Sequence, residues 1–184
     1  MRRVVVTGLG VVSSIGTNAD EVLASLKAGK SGITANEDMI EHGFRSQIAG
    51  AVDIDIKEHV DKRALRFMGP GAAYAHIAMG QAIADAGLEE SDVVNERTGL
   101  IAGSGGPSTS AMFSAHQTVL KSGSPKRIGP FAVPKCMGST ISANLSTAYQ
   151  IKGINYSITS ACSTSLHCIG SASEQIMMGK QDIM

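Results

Sequence analysis

The sequence predicts an α/β fold, on three observations. Two segments, Val4-Val5-Val6 and the largely apolar residues 98–102, each lead into glycines, as buried strands entering tight turns do. Residues 71–86 are alanine-rich with little charge on any face, the composition of a helix enclosed by other elements. Residues 154–179 change period once. Ile154, Tyr156 and Ile158 alternate with polar residues, and Leu166, Ile169, Ala172 and Ile176 then recur at helical spacing. Alternating strand and helix build layers of helix against a sheet.

The totals narrow the partners. Lys and Arg number 16, as do Asp and Glu, so no general attraction to nucleic acid or to a membrane surface is expected. No apolar run approaches the ~20 residues of a membrane span. The three cysteines, Cys136, Cys162 and Cys168, lack a disulfide-framework spacing, and the opening residues show no secretory pattern. Reduced thiols and a cytoplasmic location are expected. No His-x-x-x-His pair, Cys-x-x-Cys pair or carboxylate cluster suggests a metal.

Along the chain, Gly8-x-Gly10-x-x-Ser13 follows the first strand but lacks the third glycine, the helix opening and the acidic residue of a dinucleotide site. Its glycines read as turn geometry. Asn18 with Glu21 resembles a capping box for a short surface helix ending at Gly29. Residues 31–45 read as irregular, and Ile48, Gly50, Val52, Ile54 and Ile56 as a peripheral strand. Residues 60–68 read as a helix with Lys62, Arg63 and Arg66 on about one face, either solvated or fitted to an acidic partner. The alanine-rich helix stops at Gly87, and its His76 reads as a hydrogen-bonded core residue.

After the strand at 98–102, Gly103-Ser104-Gly105-Gly106-Pro107 lacks the lysine and spacing of a phosphate cradle and reads as a place of close backbone approach. Ser108 caps a helix bearing Met112, Ala115 and Val119 that ends at Gly123. The small basic patch of Lys126 and Arg127 reads as an exposed turn. Pro134 opens a helix whose stripe is Met137, Ile141, Leu145 and Ala148.

Only Ser160, Ala161 and Cys162, all small, separate the strand near 154–159 from the helix that Gly179 closes. A sharp turn of this kind presents a side chain at its apex, and that side chain is Cys162. A thiol at the start of a helix faces unpaired N–H groups and the positive end of the dipole, which favour a negative sulfur and would hold an oxyanion. The competing reading is a small buried core cysteine. His167 is not placed to serve Cys162 as base: five residues along a helix is about 140° of net rotation and about 7.5 Å of rise. Cys168 is turned away as well.

SACSTSLHCIG with EQIMMGKQDI behind it resembles the active-site segment of the β-ketoacyl-acyl carrier protein synthases, and is most similar to their type I elongating members. VVVTGLGVVSSIG, RFMGPGAAYAHIAMGQAIADAGL and GLIAGSGG resemble the same family in the same order. The resemblance implies a thiolase-like fold, with residues 1–184 as the first half of a five-layered α-β-α-β-α architecture around a mixed sheet. It implies that Cys162 is the acyl nucleophile, that Gly106 lines the acyl pocket, and that Met137 reaches the pocket of the mate across a homodimer. It further implies that Lys62, Arg63 and Arg66, with Lys126 and Arg127, dock an acidic acyl carrier protein.

The implied reaction is a decarboxylative condensation of a Cys162-bound acyl chain with malonyl-carrier protein, with no bound cofactor. The family's two histidines and lysine belong to a second half that is not in this sequence. A new apolar strand is starting at Asp182-Ile183-Met184, so a truncation is expected, with an open sheet edge and uncovered apolar helix faces. Two alternatives stay open: a thiolase or initiating synthase using coenzyme A thioesters, and a non-catalytic dimerising or carrier-binding fragment.

Overall fold

The structure, a computed structural model, describes residues 2–184. Helix α1 (Ala19–Lys27) is followed by strand β1 (Thr34–Ala35), α2 (Glu37–Glu41), β2 (Ile48–Ala49) and α3 (Ile56–His59). Then come α4 (Pro70–Asp85), α5 (Glu90–Val93), β3 (Leu100–Ile101), α6 (Thr109–Ser122), α7 (Ala132–Cys136), α8 (Thr140–Ala148), β4 (Asn155–Tyr156) and α9 (Thr164–Met177). Short 3-10 turns lie at Ala64–Arg66, Pro125–Arg127 and Ala161–Ser163.

The core lies where α4 meets α8. Ala72, Ala73 and Ile77 of α4 close on Ile141 and Leu145 of α8, with Val60 and Met68 filling one end. Small residues let these helices approach closely, as the composition implied. Asn144, buried on α8, donates to the Phe67 carbonyl at 3.2 Å and so ties the chain ahead of α4 to α8. Beyond this layer α8 packs on β3 and β4, and α9 packs on β3. The β3–β4 pair is parallel, Leu100 opposite Asn155, and Thr98 forms a further parallel bridge to Ile183. Of the strand expected to start near residues 181–184, the structure shows this single bridge at the edge of the β3–β4 pair. Among the described residues, antiparallel pairing occurs between β1 and β2, on either side of α2, and at the Ser13–Gly16 bridge.

Gly29, Gly87, Gly123 and Gly179 all have positive φ just past helices, where the sequence placed them. Asn18 accepts from the Glu21 N–H as expected, but the Glu21 carboxylate turns to the Thr17 N–H at 2.7 Å, so only half of the capping box forms. That bond lowers the Glu21 carboxyl below its ordinary range.

Several expectations are corrected. Residues 4–6 are not a buried strand: Val6 is 85% exposed, and the segment has no ladder. The chain just beyond, residues 8–11, is laid along α4, with the Leu9 and Val11 N–H groups donating to Asp85 and Gln81 at 2.9 Å each. Gly8 and Gly10 make this possible, since a Cβ would fall 2.1 Å from the Ala82 oxygen and 1.7 Å from the Ala78 oxygen. They serve close approach rather than a turn. The strand read over 48–56 shrinks to β2, because Asp55 accepts from the Lys57 N–H and opens α3. Asn36 likewise caps α2 in a stretch read as irregular. The helix read over 60–68 is only a 3-10 turn, since Asp61 takes the Arg63 and Ala64 N–H groups into a side-chain turn. The helix from Pro134 breaks at Met137, whose extended backbone (ψ 147) divides α7 from α8. The stripe on α9 keeps its helical spacing, with Ala172 and Ile176 half-buried and Leu166, 71% exposed, among the uncovered apolar positions expected.

At the two ends of the described chain, Arg97 holds Asp182 through both oxygens at 2.8 and 2.9 Å and donates to the Gly179 and Lys180 carbonyls. Arg2 joins the same carboxylate. The two guanidinium groups hold the Asp182 carboxyl well below the usual range, and Arg97 anchors the end of α9 beside β3.

His76 is not hydrogen-bonded through its ring as expected. Its Nδ1 is buried without a partner, its ring lies 5.0 Å from that of Tyr149, and the Tyr149 hydroxyl donates instead to the His76 carbonyl at 2.8 Å. Burial lowers the His76 pKa. His59 also lines the hollow beside His76, and no carboxylate is among the lining residues. The unfolded chain therefore takes up the proton first on acidification. Stability is full above the unfolded pKa of about 6.5 and falls as pH drops through it toward the folded value. Thermal melts at about pH 7.5 and about pH 5.5 should show a larger loss for the unsubstituted chain than for His76→Phe, which keeps the ring against Tyr149. Equal losses would contradict this account.

Candidate active site

The end of β4 runs toward α9 through a turn that is fixed on several sides. Ser157 shares a 2.6 Å hydrogen bond with Ser142 of α8. Next, the carbonyl of Ile158 meets Gly103, where a Cβ would come within 1.9 Å of its oxygen. The glycine-rich loop thus abuts this strand because only a bare backbone fits, which is the close approach read from the sequence. Gly105 continues the contact, its Cβ position lying 3.1 Å from the Ala161 oxygen.

Ala161 itself has φ +50, a left-handed backbone in a non-glycine residue. Such a conformation costs about 1–3 kcal/mol and persists only where its surroundings impose it. The constraint is Thr164. Its buried hydroxyl accepts from the Ser160 N–H at 2.9 Å and donates to the Ala161 carbonyl at 2.8 Å, holding the chain on both sides of the reversed residue. The turn delivers Cys162, exposed, immediately ahead of the 14-residue helix α9, whose start is capped by no side chain. The Ser163 and Thr164 N–H groups close the turn on the Ser160 and Ala161 carbonyls, and the positive end of the α9 dipole faces whatever charge develops at Cys162.

The other thiols differ. Cys168 is buried and its thiol is pushed up by that burial; Cys136 is half-buried. His167 turns its Nδ1 to the Ser160 hydroxyl, 2.6 Å away, and not to Cys162. Among the described residues no cluster of three or more His, Cys, Asp or Glu side chains offers a metal site, and no helix is long and apolar enough to cross a membrane.

Gly106 faces open space and lines a cleft with Ser104, Thr140 and Ile141, on the loop that touches the Cys162 turn. Met137 lines a different, apolar cleft with Arg63, Phe67 and Ala148, so the chain does not bring it together with Gly106. Lys62, Arg63 and Arg66 are exposed around their 3-10 turn, as are Lys126 and Arg127 around theirs, and none is in an ion pair among the described residues. The sequence reading missed Thr164 and Ser160. The available signal was the run of small hydroxyl residues flanking Cys162, which read only as small.

Residues 1–184 match the family model described as "Beta-ketoacyl synthase, N-terminal domain". The chain belongs to this family. Across its whole length it is 52% identical to 3-oxoacyl-[acyl-carrier-protein] synthase 1 of Haemophilus influenzae and 50% identical to that of Escherichia coli K12. It covers 45% and 46% of these two proteins, so it spans about half the length of the curated relatives it matches. Among solved structures, a β-ketoacyl synthase from Burkholderia phymatum superposes with TM-score 0.84 at 32% identity, over 98% of this chain and 45% of that one. The ishigamide ketosynthase/chain length factor also gives TM-score 0.84, at 28% identity over 96% of this chain and 44% of that one. The α/β fold is thus that of the thiolase-like ketosynthases.

In this β-ketoacyl synthase domain the Gly103 contact should tolerate no side chain. Gly103→Ala should destabilise by about 1–3 kcal/mol, lowering the melting midpoint by about 2–4 °C per kcal/mol. Gly106→Ala, with nothing near its Cβ position, should melt within about 1 °C of the parent. The two melting curves check this; a tolerated Gly103→Ala would remove the close-approach argument.

Proposed function

We propose that this chain carries the nucleophile of a 3-oxoacyl-[acyl-carrier-protein] synthase of fatty acid biosynthesis, working in the cytoplasm as a homodimer. The observation that carries the reading is the exposed Cys162 at the apex of the Ala161 turn and at the mouth of α9. The Cys162 thiolate attacks the carbonyl of an acyl thioester on the carrier protein's prosthetic thiol. The C–O double bond opens to an oxyanion that the first-turn amides of α9 stabilise. Collapse expels the carrier thiolate, which takes a proton, and leaves the acyl group on sulfur. Malonyl-carrier protein then loses carbon dioxide, and its carbanion displaces Cys162 to form the new carbon–carbon bond.

Gly106 and Met137 are assigned to the acyl pocket, and the separate clefts they line here support a pocket completed by two subunits. Lys62, Arg63, Arg66, Lys126 and Arg127 are assigned to docking of the acidic carrier, supported by their exposure and lack of ion-pair partners among the described residues. The names of the most similar relatives point to the same partner.

Two measurements test this. Intact mass with peptide mapping after mixing with acyl-carrier protein should place an acyl adduct on Cys162, and none on Cys162→Ala. Adducts on Cys136 or Cys168 would defeat the assignment. Arg63→Glu combined with Arg66→Glu should weaken carrier binding by about tenfold or more at low salt and by less at high salt. A salt-independent affinity in a calorimetric titration would remove the docking assignment.

A further inference from the structure

We infer that His167 is a positioning residue for Cys162, acting through Ser160; the inference rests on the acyl-transfer reading above. Thr164 and His167 stand three residues apart on α9 and share a face. Both hold the same turn. Thr164 grips the backbone around Ala161, and His167 grips the Ser160 side chain by the 2.6 Å bond at Nδ1. Ser160 needs a second tie, because its own backbone (φ −146, ψ 46) belongs to neither the strand it leaves nor the helix that follows.

The two ties differ in setting. Thr164 is buried, whereas His167 is exposed and Ser160 only half-buried. The outer bond therefore fixes the part of the turn nearest solvent, where an arriving thioester meets Cys162. Alkylation of a thiol by a small reagent tolerates a loose turn. Acyl transfer does not, because sulfur, carbonyl carbon and amide donors must align together, and misplacement by about 1 Å can cost about 100-fold. His167 is thereby assigned to the orientation of the nucleophile rather than to its deprotonation.

The test compares the full chain with His167→Ala, Ser160→Ala, the double variant and His167→Asn, whose amide offers a partner near the Nδ1 position. Amide hydrogen exchange at Ser160 and Ser163, both bonded within the turn, should accelerate about three- to tenfold in either alanine variant, the strength of one exposed hydrogen bond. The double variant should add nothing further, and His167→Asn should restore slow exchange, with melting midpoints of the alanine variants lowered by no more than about 5 °C. Acyl transfer from acyl-carrier protein should fall in parallel at unchanged KM, while iodoacetamide labelling of Cys162 stays within about twofold. Unchanged exchange, or additive effects in the double variant, would overturn the positioning role. So would loss of a limb of the pH–rate profile in His167→Ala alone, since that marks a base. If the unsubstituted chain takes no acyl group, the acyl-transfer reading falls, and the exchange data still decide whether His167 fixes the turn.

Discussion

One hydroxyl holds the functional part of this molecule together. Thr164 accepts from the residue before Ala161 and donates to Ala161 itself, so a backbone conformation that an alanine would otherwise leave is kept in place. In water such a bond contributes little, because water competes for both partners. Here the oxygen is buried, and breaking the bridge would leave it and the Ser160 N–H without partners, while the Ala161 carbonyl would keep only the Thr164 N–H. The cost of the reversed turn is offset by the cost of leaving those groups unpaired.

The rest of the fold supplies the walls for that bridge. α4 and α8 form the dry centre, and α8 bears on β4 both by packing and through the Ser142–Ser157 bond. On the other strand, β3 leads into Gly103 and Gly105, which press bare backbone against Ile158 and Ala161. The turn is thus fixed by α8, the glycine loop and α9 together. The helix that is fixed at its start by Thr164 is fixed at its end by Arg97, which joins the last carbonyls to Asp182. A rigid α9 matters because its amides are useful to an oxyanion only if they do not reorganise as charge develops.

The α/β class, the helix stops and the strand-to-helix apex were legible in the sequence because each is written in local chemistry: glycine at positive φ, small residues at a sharp turn, a change of period. What failed depended on tertiary partners. Val4-Val5-Val6 has strand composition but forms no ladder, and no local pattern announces that Gly8 and Gly10 just beyond it meet a helix backbone. Asp61 and Asp55 redirected two segments through single side-chain bonds, where hydrophobic spacing is silent. Leu166 and Ile169 show that period establishes a face without establishing what covers it. Thr164 was invisible for a further reason: a hydroxyl that bridges its neighbours' backbone looks, in sequence, like any other small polar residue.

The three cysteines show how far residue type is from function. Cys168 lies four residues along α9 from Thr164, on the same buried face, and burial pushes its thiol up, away from the charged form that a nucleophile needs. Cys136 is half-buried on a five-residue helix with no strand-to-helix turn to present it. Cys162 differs from both through the backbone around it. The reversed φ of Ala161 carries it out of the sheet, and the positive end of the α9 dipole lies beside it. Moving a cysteine one position in either direction would place it at Ala161, which must hold the reversed φ, or at Ser163, whose N–H is bound to the Ser160 carbonyl at 3.1 Å. The assignment of Cys162 as nucleophile therefore rests on the turn more than on the thiol, and the turn rests on Thr164 and the glycines of the neighbouring loop.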